Sequence, residues 1–276
     1  MHDSAIEKMK AFVDTYLSGY KDNKLNILEI GSKVIPPQIS QKFLFENKNW
    51  NYKGLDIEAG YNVDIVPNDS YDWKELGDNT FDVVISSQTF EHIPYFWITA
   101  FEIGRVLKDG GLACIIVPSA GDEHRFPYDT FRYFPDGLNL LCEYMGFKTF
   151  EVYRQSEDLQ YSDGSDYNKD SCLIMQKPIL QDLERQLFLF KDYMHKLLLR
   201  GKSIDDFKNF HTEFSNYAST KNALMDLENK RKKNITKWFI RKRAIKACIP
   251  ILIKAIFCER MARNIFIIYP KMGLWN

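Results

Sequence analysis

The sequence lacks the features that announce several large protein classes. No run approaches the ~20 consecutive apolar residues of a membrane-spanning helix. Met1 to Tyr20 is studded with charges and holds no apolar stretch of the kind that directs secretion. A cytoplasmic location is therefore expected. Cysteine is sparse and scattered: Cys114, Cys142, Cys172, Cys248 and Cys258 form no C-x-x-C pair. That excludes a disulfide framework and a thiolate metal site, and leaves buried free thiols as the expectation. Repeats and low-complexity tracts are absent. Acids are scarce at one end only. From Lys230 to Asn276 thirteen basic residues face the single acid Glu259, a net +12. Because the whole chain is neutral, residues 1–229 carry −12. Such a split implies that the tail meets something anionic: the acidic body of the same molecule, another copy in a homo-oligomer, or the inner face of a membrane as a peripheral contact. No signature of a nucleic-acid-binding fold accompanies the basic residues, so nucleic acid is not an expected partner.

What is present is a core. The chain is 45% hydrophobic and 14% aromatic over 276 residues, enough for one ordinary domain plus an appendage. Ile6, Met9, Val13, Tyr16, Leu17 and Tyr20 recur at helical spacing. After them come apolar runs of strand length: Leu25–Ile30, Tyr52–Ile57, Asn62–Val66, Phe81–Ser86 and Leu112–Val117. A helix is expected over Phe96–Leu107, closed by Asp109-Gly110-Gly111, and another over Pro135–Tyr144. Two closing strands are expected at Gly146–Tyr153 and Ser171–Lys177. Strands alternating with helices imply a parallel, doubly wound sheet. Beyond Pro178 only helical periodicity remains, first over Ile179–Leu198 and again from Ser203 to Leu227, so the expected organisation is a domain over 1–178 and a helical, C-terminally basic extension over 179–276. In that extension Trp238, Ile245, Ile249, Leu252 and Ile256 fall near one helical face.

Acidic and glycine residues stand at the carboxyl ends of these strands. Leu25–Ile30 runs through Glu29 into Gly31; a bare backbone turn lets a ligand come close, and an acid beside it can hold an ammonium group. The full G-x-G-x-x-G is missing, with Lys33 and Val34 to Pro37 where further glycines would stand. Asp56 ends the second strand 25 residues after Gly31, placed to accept hydrogen bonds from the two hydroxyls of a ribose. Asp64 and Asp69 lie in the following loop, where a carboxylate can take an adenine amino group. The fourth segment reads Phe81-Asp82-Val83-Val84-Ile85-Ser86-Ser87-Gln88-Thr89-Phe90-Glu91-His92-Ile93, followed by Glu102-Ile103-Gly104-Arg105-Val106-Leu107-Lys108-Asp109-Gly110-Gly111.

This order of motifs over residues 24–178 closely resembles class I S-adenosylmethionine-dependent methyltransferases of the small-molecule type. The resemblance implies an α/β, Rossmann-like fold, with a mostly parallel seven-stranded sheet, helices on both faces and here a C-terminal α-helical extension. It implies S-adenosyl-L-methionine as cofactor. It places Glu29 and Gly31 at the methionine part, Asp56 with Ile57 at the ribose, Asp69 or Asp64 at the adenine, and Ser87 at the end of the fourth strand. A fifth segment, Pro118 to Leu138, resembles the H-x-x-P-x-D-x-x-R-[FY] stretch of a subgroup associated with bacterial surface-polysaccharide pathways, capsule and O-antigen among them. It implies that a sugar or related glycan precursor is O-methylated.

A hydroxyl acceptor must lose a proton as it attacks, and histidine suits that role near neutral pH. His124, with Asp122, Glu123 and Asp129 nearby, is the first candidate base, and His92 beside Glu91 the second. Asp129 and Arg132, three apart, either pair with each other or grip the substrate. Tyr128 and Arg125 are further candidates for substrate contact. No tight ligand spacing accompanies the histidines, so no metal is expected. Two other readings stay open: a methyltransferase for another small molecule or a lipid, docked at the membrane by the basic tail, and a non-catalytic adenosine-binding module.

Overall fold

The computed structural model describes residues 2–36 and 39–201. The expected second helix from Ser203 and the whole basic tail lie outside the described residues. The compact unit that contains the sheet runs Met1–Lys196.

The apolar runs within Leu25–Ile30, Phe81–Ser87, Leu107–Val117 and Ser171–Gln176 become central strands, mostly buried on both faces, whereas Trp50–Leu55 and Lys148–Arg154 are partly covered edges. The strands are β1 (Leu25–Ile30), β2 (Trp50–Leu55), β3 (Phe81–Ser87), β4 (Leu107–Val117), β5 (Lys148–Arg154) and β6 (Ser171–Gln176). They form one sheet of order β2-β1-β3-β4-β6-β5. The first four are parallel, and β6 runs antiparallel to both β4 and β5. Alternate residues serve opposite faces. Ile27, Ile85, Cys114, Ile116 and Ile174 pack with Met9 and Phe12 of α1 (Asp3–Phe12). Leu28, Val84, Ile115 and Leu173 pack with α2 (Phe96–Val106) and α3 (Pro135–Met145) on the other side. The fold is the expected Rossmann-like α/β sheet with helices on both faces. Cys114, Cys142 and Cys172 are buried free thiols. The helix α4 (Asp182–Leu199) follows β6, and its Phe188 packs into the α2–α3 layer. No helix among the described residues is long and apolar enough to cross a membrane.

The sheet has six strands rather than seven. The segment expected to be a strand at Asn62–Val66 contributes one isolated parallel bridge, Leu55 to Ile65. Its chemistry explains this. Asn62 takes a left-handed backbone (φ 70°), Asp64 turns its carboxylate onto the Gly54 amide at 2.8 Å, and Pro67 has no N–H to extend a ladder. The other differences are at ends. The helix α2 stops at Val106, and β4 starts at Leu107 rather than Leu112, with a register irregularity opposite Phe81 and Val83.

The order of pairing fixes where a ligand can go. From β1 the chain moves outward to β2, then returns to place β3 on the other side of β1. Connections leave the two strands in opposite directions, which opens a crevice outside their carboxyl ends.

Candidate active site

A cleft of ≈ 920 Å³ occupies that crevice. Its walls come from the turns after β1, β2 and β3 and from the loop after β4. Glu29, Gly31, Asp56, Ile57, Ser87, His92, His124, Arg125 and Tyr128 all line it. The structure thus brings together residues spread over a hundred positions.

At one end, β1 delivers Glu29 into a nearly closed environment, 3% exposed. Its carboxylate accepts from Gln41 Nε2 at 2.6 Å, from Asn62 Nδ2 at 2.9 Å and from the Tyr52 hydroxyl. Tyr52 arrives through strand register, opposite Ile27 on β2, and Gln41 through a 3₁₀ turn, Gln41–Phe45, capped by Ser40. Burial pushes the Glu29 carboxyl up to about 7, against the three hydrogen bonds that lower it. Burial, and then Glu29 itself, push the Tyr52 phenol up, so it stays a donor. All three donors are neutral, and among the described residues no cation pairs with Glu29.

Gly31 follows at φ +74°. A Cβ there would fall 2.1 Å from Thr89 Oγ1 and 2.3 Å from Thr89 Cγ2. Glycine is thus required twice, for the left-handed turn and for the close approach of the β3 loop. Asp56, just past β2, accepts from the Lys33 amide at 2.9 Å and the Glu58 amide at 3.2 Å, which aims a half-buried carboxylate across the mouth of the same turn.

Asp64 and Asp69 do not line the cleft. Asp64 holds the Gly54 amide, and Asp69 accepts from the Tyr71 amide at 2.8 Å, shaping the loop that presents Ser70 and Tyr71 to the cleft. Asp129 and Arg132 form a bidentate pair, 2.6 and 2.9 Å, with the Asp129 side chain 3% exposed. That pairing holds the Asp129 carboxyl down at about 2. Arg132 also donates to the Asp122 carbonyl at 2.8 Å, so the pair braces the loop after β4 and stands off the cleft wall.

The opposite end of the cleft is built by that loop and the turn after β3. Thr130 ties them, its amide and hydroxyl both donating to the Glu91 carbonyl at 2.7 and 2.8 Å. The Tyr133 hydroxyl donates to the Phe90 carbonyl at 2.9 Å. The His92 and His124 rings consequently meet edge to face, 5.0 Å between centroids. Each donates from Nδ1 to a backbone carbonyl, His92 to Tyr128 at 2.6 Å and His124 to Asp122 at 3.1 Å. Burial lowers the His92 pKa and keeps the ring neutral.

Residues 19–115 match the model of the family described as Methyltransferase domain. The match covers 97 of the 276 residues. The matched span covers β1, β2, β3, α2 and most of β4, which build the Glu29 end of the cleft. The matched family is one of methyltransferases, and the cleft can be tested against the cofactor that the sequence implies, S-adenosylmethionine. No curated protein matches the sequence. Among solved structures the chain is similar to the cyclase SpnF, at 14% identity over 63% of this chain and 82% of that one, TM-score 0.48. It is similar to an S-adenosylmethionine-dependent methyltransferase from Archaeoglobus fulgidus, at 17% identity over 62% and 94%, TM-score 0.44. A third, from Aquifex aeolicus, shows 16% identity over 63% and 98%, TM-score 0.42. The cleft fits S-adenosylmethionine on one observation above all: Glu29 is a buried acid that no cation among the described residues pairs with, and the amino group of that molecule would supply one.

Sequence reasoning passed over Gln41, Tyr52 and Asn62, the three donors to Glu29. Asn62 and Tyr52 lie in or beside strand segments that were legible, but nothing in the chain order says which side chain reaches Glu29. Glu91 was visible beside His92, although its burial was not.

Proposed function

We propose that this enzyme O-methylates a small hydroxyl-bearing acceptor, of the sugar or sugar-precursor class used in bacterial surface glycan. The reading is carried by one observation. Two imidazoles, His92 and His124, sit at the end of the cleft away from Glu29 with their Nδ1 hydrogens tied to carbonyls, leaving the Nε2 atoms to accept a proton. Exposed aromatic faces, Phe126 and Tyr128, flank them and suit the apolar side of a sugar ring.

In this reading Glu29 holds the amino group of the cofactor, the Gly31 turn admits its backbone, and Asp56 clasps the ribose hydroxyls, with Ile57 and Ser87 as the adjoining walls. When bound, the cofactor supplies a methyl group already activated on a sulfonium. The residues therefore mainly have to align an oxygen with that carbon, and alignment alone lowers such barriers by up to about 7–11 kcal/mol. As the new carbon–oxygen bond forms and the carbon–sulfur bond breaks, the acceptor's proton passes to His124 Nε2, with His92 as the alternative base. Arg125 and Tyr128 contact the acceptor.

The +12 tail favours a second reading, in which the acceptor is a lipid-linked or other membrane-borne molecule and the tail docks the enzyme on an anionic surface. Calorimetric titration with S-adenosylhomocysteine, followed by a screen of sugar and lipid-linked acceptors for a mass gain of one methylene, tests both. Failure to bind the thioether refutes both; a gain on non-hydroxyl acceptors alone refutes the sugar reading.

A further inference from the structure

Glu91 is the least accommodated side chain among the described residues. It is 0% exposed, and neither carboxylate oxygen receives a hydrogen bond from another side chain among the described residues. Protonation does not resolve this, because a buried carboxyl O–H with no acceptor is itself an unpaired donor. The charges nearby do not resolve it either. Arg132 gives its two NH groups to Asp129, and His92 Nε2 stands 3.7 Å from Glu91 Oε1, beyond hydrogen-bond reach.

Three features converge on the missing partner. One ligand atom from each of Glu91, His92 and His124 lies within 4.8 Å of those from the other two. A carbonyl only accepts, so the hydrogen bonds to Tyr128 and Asp122 fix the hydrogen of each imidazole on Nδ1 and leave Nε2 as a bare lone pair. This is the arrangement in which a backbone carbonyl orients a metal-ligating histidine. All three residues line the cleft, so a cation they held would keep positions open to it.

We propose that Glu91, His92 and His124 form a binding site for one divalent transition-metal ion at the acceptor end of the cleft. Two imidazoles and one carboxylate suit manganese, iron, cobalt, nickel or zinc, whereas magnesium favours an all-oxygen shell. Sequence spacing hides the site because His124 comes from a loop 32 residues after His92, brought in by Thr130. An ion there would orient an acceptor oxygen and make its hydroxyl more acidic. That use rests on the methyl-transfer reading; the site itself does not, and occupancy would take the two Nε2 atoms from the role of base.

The test is a titration of chelator-stripped, full-length protein with Mn²⁺, followed by electron paramagnetic resonance of free Mn²⁺, with Mg²⁺ as the comparison. One Mn²⁺ per chain is expected, with affinity falling by about 10- to 100-fold or more in Glu91→Gln and in His124→Ala. His124 is half-exposed on a loop, so His124→Ala keeps the fold even if Glu91→Gln does not, and circular dichroism checks both. Absence of a stoichiometric site, equal binding by the His124 variant, or a preference for Mg²⁺ overturns the proposal. Parallel titration with S-adenosylhomocysteine separates the two readings. Metal binding without thioether binding leaves the site and removes the methyl-transfer reading, and the reverse result does the opposite.

Discussion

Two glutamates lie buried at the two ends of one cleft, and their surroundings could hardly differ more. Glu29, at the end of β1, is met by an amide, a phenol and a second amide. Glu91, at the histidine end, is met by none among the described residues. Burial raises both, to about 7 and about 8. The difference is in what each still needs. Glu29 is hydrogen-bonded and lacks only positive charge, which a ligand's ammonium provides. Glu91 lacks both charge and partners, which a small bare cation provides better than an organic ammonium does. A ligand end and a metal end of the same cleft can thus be told apart by the satisfaction of one residue type.

The comparison can be broken or sharpened by substitution. The largest effect is expected from His124→Ala: turnover on any acceptor that the screen yields should drop by about 10² to 10⁴, whether the imidazole takes the acceptor's proton itself or holds an ion that acidifies the hydroxyl. Affinity for S-adenosylhomocysteine should stay within about twofold, because His124 belongs to the acceptor end. A matching loss of thioether affinity in the calorimeter would merge the two ends into one. Asp56→Ala should do the converse, lowering thioether affinity by about 100-fold through two lost hydrogen bonds to a charged group.

Next comes pH. The ordinary value for Glu91 in the unfolded chain is 4.5, against about 8 when folded. Between them the native state holds the extra proton, so its stability falls as pH rises from about 4.5 to about 8 and levels off above. The slope is at most about 1.4 kcal/mol per pH unit for one group. In thermal melts, Glu91→Gln should flatten that part of the profile, and Mn²⁺ added to the wild type should flatten it too; superimposable profiles would remove Glu91 from its special place. The smallest effect is expected from Thr130→Val. It loses the hydroxyl bond to the Glu91 carbonyl but keeps the amide one, costing about 1 kcal/mol in denaturant unfolding.

That Glu29, Gly31, Asp56 and Ser87 meet at one cleft was legible in the order of residues. Once Leu25–Ile30 and Phe81–Ser86 are read as buried strands, Glu29, Gly31, Asp56 and Ser87 fall at carboxyl ends, and a doubly wound sheet puts those ends at one crevice. What could not be read depends on approach in space. Tyr52 reaches Glu29 only because β1 and β2 pair in the register Ile27 to Tyr52 and Glu29 to Gly54. Asp64 looked like an adenine contact because it sits in the right loop, but its carboxylate is used on the Gly54 amide. The seventh strand failed for the same local reason: short polar side chains offered the backbone a nearer partner than a sheet ladder. Asp129 and Arg132, three apart, had two fates open, and the bidentate geometry places them in each other's grip.

The clash that any side chain at position 31 would meet also bears on how this sequence can drift. Thr89 fills the space a Cβ would need, and Thr89 in turn is anchored on the Ser87 carbonyl at 3.0 Å. Neither position is free to vary alone. A bulkier residue at 31 survives only after 89 has shrunk, and a bulkier residue at 89 pushes the 31 turn out of the crevice. Descendants of this chain should therefore carry the two positions as a linked pair, recorded as joint change between a strand-end glycine and a loop threonine that are neighbours only in the folded molecule.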